Sequence, residues 1–358
     1  MTGVHDRCRR WAFAVAAIGL LAVVAPVAMA ADEAARELLG RHGAVAKTDD
    51  AGSIVEVKLR VGEPVPADLL AALEKLPRLE RLVAAGSGLN DKALVAVGRL
   101  KGLRQLDLRD CPVTNAGLAH LGGLRELVAL RLSGKSGACT VDDDGMQHVA
   151  ALGGLRVLML DFLWVGKDGL EKLVGLERLE ELTLAQSLVQ DDALPVIARF
   201  PALRRLRLAR TSVSGAGLAE ITKLGRLEDL DLGEAAQLDD AALVEVGKLT
   251  TLKRLNLWRV PVGDEGIGKL SGLTRLEWLN LDNTRLTDGG LAALAGMTKL
   301  ATLHVGSTAL SNAAVPQLVR LAALKDLGLA RTAVDASGVA ALRKQLPDTV
   351  VRLEAAEE

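Results

Sequence analysis

Few side chains in this sequence are of a kind that does chemistry, and fewer still stand together. Cys111 and Cys139 have no His or further Cys at ligand spacing, so they build no zinc site. His42, His120, His148 and His304 share no local motif, and a lone imidazole is a weak basis for catalysis. No G-x-S-x-G, H-E-x-x-H or phosphate-binding loop is present. Asp142-Asp143-Asp144 lacks the wider, fixed ligand spacing of an EF-hand loop. Carboxylates in that setting fit a helix start, where they satisfy free N–H groups. These absences point away from an enzyme, and no cofactor or metal is expected. What remains is binding chemistry, carried by three tryptophans beyond residue 30: Trp164, Trp258 and Trp278.

Composition narrows the class of partner and the compartment. Lys and Arg number 44 against 45 Asp and Glu, so no nucleic acid partner is expected. Arg7, Arg9 and Arg10 precede an apolar run from Trp11 to Val24, and Ala28-Met29-Ala30 forms an A-x-A site. Residues 1–30 therefore read as a secretory signal peptide. The run is short for a membrane span, and no second one follows. Its removal takes three Arg and one Asp, leaving 41 basic and 44 acidic groups. The expected product is exported, periplasmic or extracellular, without a membrane span, and monomeric.

The elements that must position the tryptophans come from a repeat. Residues 31–53 read as an N-terminal capping helix, DEAARELLG, followed by a hairpin strand. From residue 54 to 358 one apolar pattern recurs. Its anchors are Ile54, Leu79, Leu103, Leu127, Leu155, Leu179, Leu203, Leu227, Leu252, Leu276, Leu300 and Leu324, with a degenerate last unit near Asp348. Eleven of the twelve spacings are 24 or 25 residues, and one of 28 reflects four extra residues at Gly134–Gly137. Within each unit, positions +3 and +5 from the anchor are apolar, the period of a strand with one buried face. Position +8 is small: Ser87, Cys111, Thr211, Thr284, Thr308. A polar cap and a Gly-Leu pair such as Gly217-Leu218 or Gly290-Leu291 then open a helix of about two turns. Aromatics are only 2% of the chain, which suits regular Leu layers better than an irregular core.

The pattern LxxLxLxx(C/T)xVTDxGLxxLxxL resembles the leucine-rich repeat family, and among its subtypes the cysteine-containing, ribonuclease-inhibitor-like class found also in bacterial exported proteins. The resemblance covers residues 54–353. It implies an α/β fold: a right-handed solenoid or horseshoe of about 12–13 repeats, with a parallel sheet on the concave face and α-helices on the convex face. It also implies a protein partner, held on the concave face.

Positions +2, +4 and +6 point out of that sheet. Glu181, Arg205, Asp229 and Arg254 alternate in sign along column +2, and column +4 sets Asp107 beside Arg131 and Arg207 beside Asp231. Opposite charges on neighbouring strands suit a self-neutralising surface. Trp258 and Trp278 do not fit that scheme, because Trp and Arg are the residues that anchor interfaces. Arg254 beside Trp278 also suits a cation–π stack. The expected partner-binding patch is Arg254, Asn256, Trp258, Trp278, Asn280, Asp282 and His304. Phe162 and Trp164, flanking Leu163 where other units have a small residue, mark a second candidate contact. Cys111 and Cys139 fall at the same position of adjacent repeats, either as free thiols or, in an oxidising compartment, as a disulfide. A carbohydrate ligand stacked on the two tryptophans, and a structural role in the cell envelope, are the alternative readings.

Overall fold

The computed structural model describes residues 32–353, so the signal peptide expected over 1–30 lies outside the described residues. Residues 32–41 are helical, and the Asp32 carboxylate accepts the Ile54 N–H at 3.3 Å, tying this helix to the sheet. Val45–Thr48 and Ile54–Lys58 form an antiparallel hairpin. Every later strand then adds in parallel, in strict chain order, to a 14-stranded sheet. Neighbouring strands stand about 4.8 Å apart, so twelve parallel steps run roughly 60 Å.

Most strands are three residues long, as in Arg205–Arg207 and Trp278–Asn280. Two residues face outward and the central Leu faces the core. Leu206, Leu230, Leu255, Leu279 and Leu303 are at most 1% exposed and stack in register along the sheet. Beyond each strand the chain must turn toward the far face. It does so through one residue in the left-handed conformation, at position +7. Among the described residues, nine non-glycine residues adopt it, including Phe162, Arg210, Arg259 and Arg331, with φ between 52° and 61°. Such a residue is strained by about 1–2 kcal/mol. A bond to the following repeat offsets this: Arg210 N–H donates to Gly233 O and Arg259 N–H to Asp282 O, both at 2.9 Å. At +8, Thr211 and Thr284 donate their hydroxyls to the carbonyls of Leu208 and Leu281 at 2.6 and 2.7 Å. Carbonyls that the turn would leave buried and unpaired are thereby satisfied.

The far face departs from the expectation of α-helices. It is a mixture of short α and 3₁₀ segments, and Gly290–Gly296 is entirely 3₁₀. A segment this short makes few i to i−4 bonds, so the tighter 3₁₀ turn competes well. Among the described residues, the longest segment on this face is Ala336–Gln345, in the last full repeat.

A ladder of carboxylates and amides joins these segments. Asp191 accepts the Ser214 N–H at 2.7 Å and the Ser214 hydroxyl at 2.5 Å. Asp91 does the same for Thr114, Asp264 for Thr287 and Asp288 for Ser311. Each supplier occupies position +12, and its oxygen sits where a side chain at +14 of the next repeat would go. That residue is Gly117 after Asp91, Gly169 after Asp143, Gly217 after Asp191 and Gly290 after Asp264. Where +12 is Lys167 or Gly215, the next repeat instead carries Ala193 or Ala242. Ala314 after Asp288 is the exception. The acidic run fits this scheme: Asp142 caps the Asp144 N–H, Asp143 accepts the Gly166 N–H, and Asp144 pairs with Lys172.

The disulfide considered for Cys111 and Cys139 does not form, and both are buried free thiols. Cys111 instead donates to the Ala84 carbonyl of the preceding repeat at 3.0 Å, where Thr211 and Thr284 bond a carbonyl of their own repeat. Burial pushes both thiols up to about 11. An unfolded chain ionises its cysteines near pH 8.5. Because the folded values are raised, this contribution to stability is complete below about pH 8.5 and is lost as the pH climbs toward 11. Denaturant midpoints should fall more steeply between pH 8 and 10.5 in the native chain than in a Cys111→Ala/Cys139→Ala variant. Equal slopes would count against the burial argument.

Candidate functional site

Most of the helix-free face neutralises itself. Arg205 pairs with Glu181 at 3.1 Å and Arg254 with Asp229 at 3.3 Å. Burial pushes the Asp229 carboxyl up, while Arg254 pulls it back. Arg207 bridges Asp161 at 3.1 Å and Asp231 at 3.0 Å. One anticipated pair is different. Asp107 and Arg131 lie side by side in register, yet Asp107 pairs with Arg109, two residues along its own chain, at 2.7 Å. Arg109 binds the Asp107 carboxylate in bidentate fashion, and its own backbone N–H donates to the same carboxylate across the turn.

The charged columns give way to a depression at the C-terminal third, about 560 Å³ in volume. Its floor is made by missing side chains. Gly328 follows His304 in column +4, and Gly306 and Ala330 follow Asp282 in column +6. A side chain at Gly306 would meet the Ala330 carbonyl at 2.9 Å, so that position is closed to larger residues. Gly328 has only ordinary contact with His304, so its bareness leaves open space above the sheet.

Five of the seven residues expected in the patch line this depression: Trp258, Trp278, Asn280, Asp282 and His304. Trp278 packs edge-on to His304, with centroids 5.7 Å apart, and both are half-buried. Asn280 Oδ1 accepts the Asp282 N–H at 2.8 Å, and Asp282 accepts the Gly306 N–H. The other two residues stand behind the wall. Arg254 lies over Trp278 at 4.4 Å, and Asn256 donates to Asp231 at 2.8 Å while accepting the Trp258 N–H. Arg254 and Asn256 therefore hold the tryptophans from the side away from the depression.

Three arginines complete the rim, and column reasoning over +2 to +6 does not reach two of them. Arg259 and Arg331 occupy the left-handed +7 position, and Arg352 lies on the terminal strand Val350–Arg352. Arg259 reaches over Trp258 at 5.3 Å and toward Glu234 at 3.7 Å. Arg352 is bidentate to Asp326 at 2.8 and 2.9 Å. The recurrence of a long polar residue one place after column +6 was the signal available in the sequence.

Phe162 and Trp164 are elsewhere. Phe162 borders a separate, ion-paired hollow with Arg109 and Asp161. Trp164 is 70% exposed at the edge of the sheet, beside the exposed Leu188 of the next repeat. Among the described residues, no group of three or more His, Cys, Asp or Glu is placed to hold a metal ion. No helix there is long and apolar enough to cross a membrane.

The ordered parallel sheet, one strand per 24-residue unit and a Leu-layered core define a leucine-rich repeat solenoid. The chain has the leucine-rich repeat fold, and the family model described as Leucine Rich repeat matches residues 103–122. Among solved structures, an internalin from Listeria monocytogenes is similar at 18% identity and a TM-score of 0.61, over 93% of this chain and 96% of that one. A leucine-rich repeat protein from Leptospira interrogans is similar at 18% identity and a TM-score of 0.48, over 87% and 94%. Likeness at this level speaks to fold alone. No curated protein matches the chain in sequence.

Proposed function

We propose that this is an exported, monomeric, non-catalytic protein of the cysteine-containing repeat class that binds another protein through the depression on its helix-free, concave face. The observation that carries the reading is a single contrast. Along a face of paired charges, only here do two tryptophans and a histidine border bare backbone at Gly306 and Gly328. A rigid aromatic wall beside a hollow is the arrangement in which interface anchors do most for affinity. Residues 1–30 support export, and Cys111 at +8 supports the repeat class.

A protein partner is favoured over a carbohydrate because Arg254 and Arg259 each cover one indole face and His304 packs edge-on to Trp278, which narrows the aromatic surface left for sugar stacking. The experiment is a pull-down with the mature chain from its own envelope fraction, run beside Trp258→Ala/Trp278→Ala. A partner retained by the native chain and lost by the variant is the expected result. A partner held equally by both would place binding elsewhere.

A further inference from the structure

Resting on that reading, we infer that the depression takes an acidic peptide segment, carrying a carboxylate onto Arg331 and an apolar side chain onto the Trp258–Trp278 wall. The argument begins with the hydrogen-bonding inventory. The lining is rich in donors: two indole N–H groups, the His304 ring, the Asn280 amide and the Arg331 guanidinium. Among the described residues, none of these five side chains donates a hydrogen bond to protein. The one carboxylate in the lining, Asp282, already takes the Gly306 N–H. A ligand for such a surface must bring acceptors, and carboxylates are the strongest acceptors a peptide has.

Charge agrees with the inventory. Arg259 shares Glu234 with Arg210, and Arg352 is held by Asp326. Among the described residues, no carboxylate pairs with Arg331, which is exposed at the rim. It is the one lining arginine with its charge unspent. A basic ligand would meet this cation directly, and a neutral one would leave its charge unmatched.

Spacing then sets the order of groups in the ligand. The strand bearing Trp278 and the strand Asp326–Gly328, whose following turn carries Arg331, are two strand steps apart, roughly 10 Å. An extended peptide crosses that distance in about three residues. An apolar residue followed three or four places later by Glu or Asp therefore reaches both walls, with Gly306 and Gly328 leaving room for its backbone.

The test uses two fluorescein-labelled octapeptides, GLSGEESG and its glutamine counterpart GLSGQQSG, titrated by anisotropy against the mature chain at low and high salt. The acidic peptide should bind saturably, weaken as salt rises, and exceed the glutamine peptide by about tenfold, the effect of one charge-assisted pair. Arg331→Gln should remove that advantage and leave the glutamine peptide unaffected. Equal binding of the two peptides, an unchanged preference in Arg331→Gln, or no saturable binding of GLSGEESG would each overturn the inference. If GLSGEESG fails while the tryptophan variant still loses its partner from the envelope fraction, the peptide class alone is wrong. If the tryptophan variant also keeps its partner, the site itself is wrong.

Discussion

Gly217→Ala should destabilise the chain by about 2–4 kcal/mol, although the same exchange in an ordinary helix stabilises by about 0.5–1 kcal/mol. The sign is reversed by what lies over Gly217. A methyl group there would meet Asp191 Oδ1 well inside van der Waals contact and Leu194 Cδ1 at 2.8 Å. Asp191 cannot simply move, because it accepts both the backbone N–H and the hydroxyl of Ser214. Overpacking of this kind typically costs 1–3 kcal/mol, and loosening a charge-assisted bond adds a comparable amount. The chain itself holds the control. One repeat later the supplier is Gly215 and the receiver is Ala242, and both fit. Asp191→Gly should therefore absorb much of the penalty of Gly217→Ala. In a double-mutant cycle read by urea denaturation, the pair should be at least 1 kcal/mol better than the sum of the singles. Additivity would mean that the glycine is set by something other than the carboxylate.

Phe200→Ala should cost about 3–5 kcal/mol, the usual range for emptying a fully buried aromatic site. Phe200 is 0% exposed and lies in the link between the segment Leu194–Ile197 and the strand Arg205–Arg207. Equivalent links carry Leu176, Leu224 and Met297, all at most 4% exposed. Phe200→Leu should accordingly stay below about 1.5 kcal/mol, because the layer on either side already accommodates leucine. The damage should also be local. In a solenoid each repeat touches only its neighbours, so amide exchange should accelerate around residues 179–226 and stay near its native value beyond residue 276. Uniform acceleration along the chain would contradict nearest-neighbour coupling.

The anchors from Ile54 to Leu324 determine where each strand falls, since only a 24-residue period buries every apolar position at once. That is why the sheet was legible from sequence. The far side was less so: α and 3₁₀ turns bury the same Leu residues, and no spacing distinguishes them over a few residues. The tryptophans were legible as outliers in polar columns. The depression beside them was not, because it is made by Gly306 and Gly328, and a glycine in sequence gives no sign that a neighbour's wall stands next to it. Arg331 was missed for a related reason. A strict alternation of inward and outward positions ends at +6, whereas the left-handed turn at +7 brings one more side chain round to the same face.

The ladder of oxygens has a mechanical consequence. A row of links is only as continuous as its joints, and between the repeats of Leu79 and Leu324 two joints lack the Asp or Asn link: the one after Lys167 and the one after Gly215. They divide the row into lengths of four, two and five repeats. Apart from Arg352, the depression rides on the last length, where Asp240, Asp264, Asp288 and Asn312 clasp one repeat to the next without interruption. Bending of the whole molecule would therefore concentrate at the two unclasped seams, and the walls bearing Trp258, Trp278 and Arg331 would travel as one piece.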